Sequence, residues 1–125
     1  MNNAQLESWL RSYGEAWETR DGDAAATLFT EDAAYQWGPF EEPLRGRQAI
    51  CERWGQATAG QDEVEFGFEL LAKMGTTAVA EWWCAFVRPK EALRRNLRGI
   101  FLLRFTEDGL CSELREWWNA EEHPL

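Results

Sequence analysis

The chain contains a single histidine, His123, and three cysteines, Cys51, Cys84 and Cys111, none of them in a C-x-x-C pair. So few soft ligands in no pairing pattern argue against a zinc site. Unpatterned thiols in odd number suit a reducing cytoplasm, where they stay free. Basic charge is also scarce: 13 Lys and Arg face 22 Asp and Glu, for a net charge of −9. Nucleic acid and anionic membrane both need a basic surface, so neither is expected as a partner. No apolar run approaches the length of a membrane span. The opening Met-Asn-Asn-Ala-Gln-Leu-Glu lacks the charged-then-apolar layout of a secretory leader. No domain-scale repeat and no low-complexity linker divides the 125 residues, so a single domain over 1–125 is expected.

What is abundant is aromatic: 8 Trp and 7 Phe. Large aromatics fill cores, and they also line ligand cavities. An aromatic pocket for one small hydrophobic molecule is therefore the first functional expectation.

The apolar spacing predicts a helix over 4–20, with Leu6, Trp9, Leu10, Tyr13 and Trp17 on one stripe. Arg20-Asp21-Gly22-Asp23 breaks it and offers an acidic N-cap to a short helix, Ala24–Phe29. Ala33–Trp37 reads as a short strand, and 38–43 as a loop. A third helix follows Gly46, with Ile50, Trp54 and Ala57 on one side. The remainder reads as sheet. Glu63–Leu70 alternates cleanly, with Glu63, Glu65 and Glu69 on a solvated face. Thr77–Arg88, Arg95–Thr106 and Leu110–Asn119 follow, the last two joined by a Glu107-Asp108-Gly109 hairpin. A polar tail, residues 119–125, holds His123 away from any site. Helices first and a strand meander after them imply an α+β fold with the helices on one side of the sheet. The sheet's other face is expected to carry Trp82, Phe86 and Trp117, an aromatic surface suited to a homodimer.

The chain resembles the nuclear transport factor 2-like superfamily, and within it the SnoaL-like and ketosteroid-isomerase-like proteins. The residues that carry the resemblance are Tyr13-x-x-Ala16-Trp17 with Asp21-Gly22-Asp23, Leu28 to Ala33, and Leu44 to Ile50. Arg98 to Phe105 and Glu113 to Asn119 extend it over almost the whole chain. It implies a cone-shaped, curved, antiparallel-rich sheet wrapped by three N-terminal helices around an apolar pocket. It also implies chemistry without a cofactor. The isomerase's oxyanion-binding tyrosine falls on Tyr13. Its general-base aspartate falls on Trp37 and its protonated aspartate on Phe101, so the usual two-aspartate isomerisation is not expected. In the limonene-epoxide-hydrolase pattern Glu116 takes an acid position, and no arginine and second acid complete the relay.

Glu-Trp-Trp occurs twice, at 81–83 and 116–118. Glu116 shares a strand face with Leu110, Leu114 and Trp118, while Glu113, Arg115 and Asn119 want water, so Glu116 points inward. Glu81 shares a face with Val79, Trp83, Ala85 and Val87; both faces of that strand are apolar, and the resemblance places this one inward. A carboxylate among tryptophans loses hydration and its pKa rises, which suits a general acid or base. Two such groups could divide the roles, with Tyr13 donating to a developing oxyanion. The plainer alternative ties either acid to an arginine such as Arg45 or Arg53, and makes Tyr13 a core residue. The expected pocket wall is Trp17, Trp37, Trp54, Trp83, Phe101, Leu114 and Trp118. Two functions follow: a cofactor-independent isomerase, cyclase, lyase or epoxide hydrolase, or a non-catalytic binding or dimerisation module.

Overall fold

The computed structural model describes residues 1–125. Helix α1, Asn3–Glu18, opens on a capping box in which Asn2 and Gln5 each accept the other's backbone N–H at 2.8 Å. Its stripe of Leu6, Trp9, Leu10, Tyr13 and Trp17 is buried as the spacing predicts. Helix α2, Gly22–Ala26, starts earlier than expected because Asp21, not Asp23, caps it through Ala24 N–H at 3.0 Å. That frees Phe29 to open strand β1, Phe29–Gln36, four residues before the expected start. Strand β2 is Leu44–Arg45 and helix α3 is Arg47–Thr58. The long strands are β3, Asp62–Met74, and β4, Thr77–Arg88, then β5, Leu93–Phe105, and β6, Cys111–Pro124.

The six strands form one curved, open sheet in the order β2-β1-β6-β5-β4-β3. All neighbours are antiparallel except β1 and β6, which run parallel, with Tyr35 beside Leu114. The helices cover one face: α1 packs on β3, α3 on β1 and β2, and α2 bridges α1 and α3.

Strand β6 does not end in a polar tail. It continues to Pro124, pairing Arg94 with His123, Arg95 with Glu122 and Asn96 with Glu121. Both faces are solvated there, so hydrophobic alternation is silent; backbone pairing continues the ladder, and across it Asn96 Nδ2 donates to Glu121 Oε1 at 3.3 Å.

The parity of β4 is also corrected. Trp82 and Phe86, expected outside, face the core at 1% exposure; Trp117, 37% exposed, does face out. Register decides the matter. Cys84, Trp82 and Ala80 stand opposite Leu97, Gly99 and Phe101, the inward set of β5, and directly paired residues share a face. Gly99, opposite Trp82 in this register, lets β5 approach β6 closely: a Cβ there would press on the Trp117 carbonyl and on Trp118.

Candidate functional site

A cavity of about 130 Å³ opens between α1, α3 and the inner face of the sheet. Tyr13 and Trp17 enter it from α1, Trp54 from α3, and Tyr35 and Trp37 from β1 and its end. Trp82, Phe86, Leu97 and Trp118 supply the sheet side. An apolar void of about 150 Å³ holds one benzene ring, so the space here is about that of a single ring. Two larger depressions, beside Asn96 and Asn119 and beside Arg11 and Phe68, are open grooves on the surface.

The walls are fixed by their polar edges. Trp118 Nε1 donates to the Trp37 carbonyl at 2.7 Å, and Trp17 Nε1 donates to Gln61 Oε1 at 2.9 Å. The Tyr13 ring meets Trp54 and Phe101 edge-on at 5.1 and 5.2 Å. Phe101 in turn stacks on Trp82 at 5.1 Å, with 13° between the planes.

One acid lies in this lining. Glu116 is 6% exposed, and its Oε2 is buried with no hydrogen-bond partner. None of the five ion pairs includes it. Burial pushes its pKa well above the usual carboxylate range, and no cation opposes the shift. Beside it, the Tyr13 and Tyr35 hydroxyls are 2.6 Å apart. Burial raises the pKa of both phenols; next come Tyr35 and Glu116 for Tyr13, and Glu116 for Tyr35. The pair therefore stays neutral. One hydroxyl donates to the other, which leaves one O–H free to donate to a ligand.

Three arginines complete the lining. Arg53 lies over the Trp37 ring at 3.5 Å, and Arg88 Nε donates to Glu91 at 2.9 Å. Arg95 points inward from β5, in phase with Leu97 and Phe101. No group of three or more His, Cys, Asp or Glu side chains is placed to hold a metal ion.

The sequence matches the SnoaL-like domain over residues 10–114. The chain belongs to the SnoaL-like family. No curated protein matches its sequence. Among solved structures it is similar to RV0760c from Mycobacterium tuberculosis, at TM-score 0.82 and 14% identity over 98% of this chain and 99% of that one. It is also similar to SalBIII, an epoxide hydrolase/cyclase-like enzyme in pyran ring formation in the polyether salinomycin, at TM-score 0.80 and 19% identity over 95% of each chain. A Catenulispora acidiphila protein with a ketosteroid-isomerase-like fold, in complex with trimethylamine, matches at TM-score 0.76 and 17% identity over 87% and 83%. Likeness at these identities shows the fold.

In this SnoaL-like protein the expected site residues divide into three groups. Glu116, Tyr13, Trp17, Trp37, Trp54 and Trp118 line the cavity. Phe101 and Leu114 are fully buried beneath it and form part of its support instead of its surface. Glu81 and Trp83 lie on the opposite face of the sheet, which corrects the inward placement. Glu81, with 33% of its side chain exposed, pairs with Arg98 at 3.1 Å. Trp83 lies under the same guanidinium at 4.8 Å. The cause is the β4 register already described.

The wall also holds residues that the sequence reasoning missed. Tyr35 alternates with Ala33 and Trp37, and Arg95 alternates with Leu97 and Phe101, so strand parity could have found both. Trp82 and Phe86 were hidden by a strand that is apolar on both faces.

Proposed function

We propose that this SnoaL-like protein binds a small apolar molecule in the cavity and moves a proton on it without a cofactor. Glu116 is the acid/base, and the Tyr13–Tyr35 pair is the hydrogen-bond donor. The observation that carries the reading is a buried carboxyl in an aromatic wall with neither an ion pair nor a hydrogen bond at Oε2. Structural acids are buried with partners; an acid kept bare and neutral is poised to donate.

The same arrangement serves isomerisation, cyclisation, elimination or epoxide opening. Glu116 gives its proton to a carbonyl or epoxide oxygen, and the free tyrosine O–H bonds to that oxygen as charge builds. The carboxylate left behind then takes a proton from carbon, or from an attacking hydroxyl, and is restored. SalBIII acts in pyran ring formation, and at 19% identity it supports this chemistry as a fold-level analogy.

Conversion of a screened set of small epoxides and carbonyl compounds tests the proposal. Turnover by the native protein should fall by about two to four orders of magnitude in Glu116→Gln, the usual worth of a general acid. Equal turnover by both proteins would end the proposal.

A second reading is a non-catalytic binding module. It is favoured by the Trp37 and Phe101 that replace the isomerase's two acids. Ligand binding with no product under any condition would select it. Pairing of two copies through the outer face belongs to either reading and would rest on Trp83 and Trp117, since Trp82 and Phe86 face inward. The three free thiols are compatible with a reducing, cytoplasmic setting for both.

A further inference from the structure

Arg53 and Arg95 come from different elements, α3 and β5, and both line the cavity. The Nε of each is buried with no hydrogen-bond partner. Neither belongs to any of the protein's five ion pairs. This is unusual chemistry for a chain with 22 acidic residues and a net charge of −9. A buried guanidinium N–H left without an acceptor is costly, and carboxylates are plentiful. Glu122 stands directly across from Arg95 on β6 and still makes no ion pair with it. Arg88, the third arginine of the lining, shows the contrast: Glu91 satisfies it. The lining therefore holds three arginines against the single carboxyl of Glu116. Desolvation favours the neutral form of that carboxyl, so it offers Arg53 and Arg95 no compensating charge.

Arg53 is also held ready. Its guanidinium lies over the Trp37 ring, 3.5 Å from the centroid, and the Trp37 carbonyl in turn fixes Trp118. A stacked guanidinium keeps its edge donors free, and that planar edge matches a carboxylate.

We propose that the cavity takes a small organic anion, a carboxylate on an apolar body the size of one ring, with Arg53 and Arg95 engaging the carboxylate and the tryptophans holding the ring. The inference rests on the reading that this cavity is the ligand site. It narrows the substrate class from apolar molecules in general to compact apolar acids. The charged end sits with the arginines, and the body reaches toward Glu116 and the tyrosines.

Tryptophan fluorescence titration and calorimetry with benzoate and phenylacetate, against benzamide and phenylacetamide, test it. In the native protein each acid should bind at least about ten-fold tighter than its amide, the scale of one charge-assisted hydrogen bond. That advantage should shrink as salt is added. Arg53→Gln and Arg95→Gln should each remove most of it, so that the ratio of acid to amide affinity falls toward one. Arg53→Lys, which keeps the charge and loses the planar fork, should fall between. Amides binding as tightly as acids would overturn the anion and leave the cavity as a ligand site. Failure of all four probes would overturn the cavity reading and this inference with it. Should a Gln variant fail to fold, the acid-to-amide ratio and its salt dependence in the native protein decide alone.

Discussion

Glu116 on β6 stands directly across the strand pair from Phe101 on β5. Phe101 occupies the place where the isomerase-like pattern expects a protonated acid. The carboxyl is instead supplied one strand over, a displacement of about 5 Å. The vacated position is filled by a ring that stacks on Trp82 and meets Tyr13, so it now serves as support for the cavity. Under the proposed chemistry, the oxygen that Glu116 protonates lies nearer β6 than in an isomerase of that pattern.

Stability should register the buried carboxyl through pH. The folded pKa of Glu116 is raised above the unfolded one, so the folded state holds the extra proton. Its contribution is best below about pH 4.3, the unfolded value. As pH climbs toward the raised folded value, stability is lost by up to about 1.4 kcal/mol per pH unit. Glu116→Gln removes this dependence, so the variant should gain on the native protein between acid and neutral pH. Chemical denaturation at several pH values measures the gap, and a gap that does not change with pH would refute the assignment.

The Tyr13–Tyr35 hydrogen bond should behave as a unit. Tyr13→Phe or Tyr35→Phe leaves the other hydroxyl buried without its partner, at a cost of about 1–2 kcal/mol. The double variant should cost little more than either single one. A double-mutant cycle that finds the two changes additive would show that the bond contributes nothing.

Glu81 should be silent in spite of its repeated Glu-Trp-Trp context. Its ion pair with Arg98 is partly exposed, and Glu81→Gln should alter stability by less than about 0.5 kcal/mol. Ligand titrations should be unchanged. A loss of turnover comparable to that of Glu116→Gln would contradict the outward placement.

These cases show how much of the site could be read from the residues. Glu116 was legible because one face of β6 is plainly polar, so parity had something to work on. Glu81 was not, because β4 is apolar on both faces and only its pairing with β5 decides which side is wet. Its arginine was equally out of reach: Glu81 stands opposite Ile100, and Arg98 reaches it diagonally, a neighbour that exists only once register is set. The α1 stripe and the span of β4 follow from periodicity alone. The continuation of β6 to Pro124 does not, because a strand wet on both faces carries no alternation.

Gly99 should be intolerant of a side chain. A methyl there would fall 2.7 Å from Trp118 Cβ and press on the Trp117 carbonyl. Gly99→Ala should cost on the order of 1–3 kcal/mol by overpacking, and should weaken ligand binding by displacing Trp118. Thermal melts and the same titrations check both effects; an unchanged melting temperature would mean that the strand pair yields freely.

The parallel pairing of β1 with β6 has a consequence for how the protein is made. Tyr35 and Leu114 meet only when synthesis has nearly reached the end of the domain. Until then β1 and β5 each present an unpaired edge beside a strongly aromatic surface, an invitation to association with other nascent chains. The strand that closes this gap carries Glu116, ionised in water before it docks. Burial of that carboxyl as β6 docks favours its protonated form, so closing the gap between β1 and β5 is coupled to proton uptake.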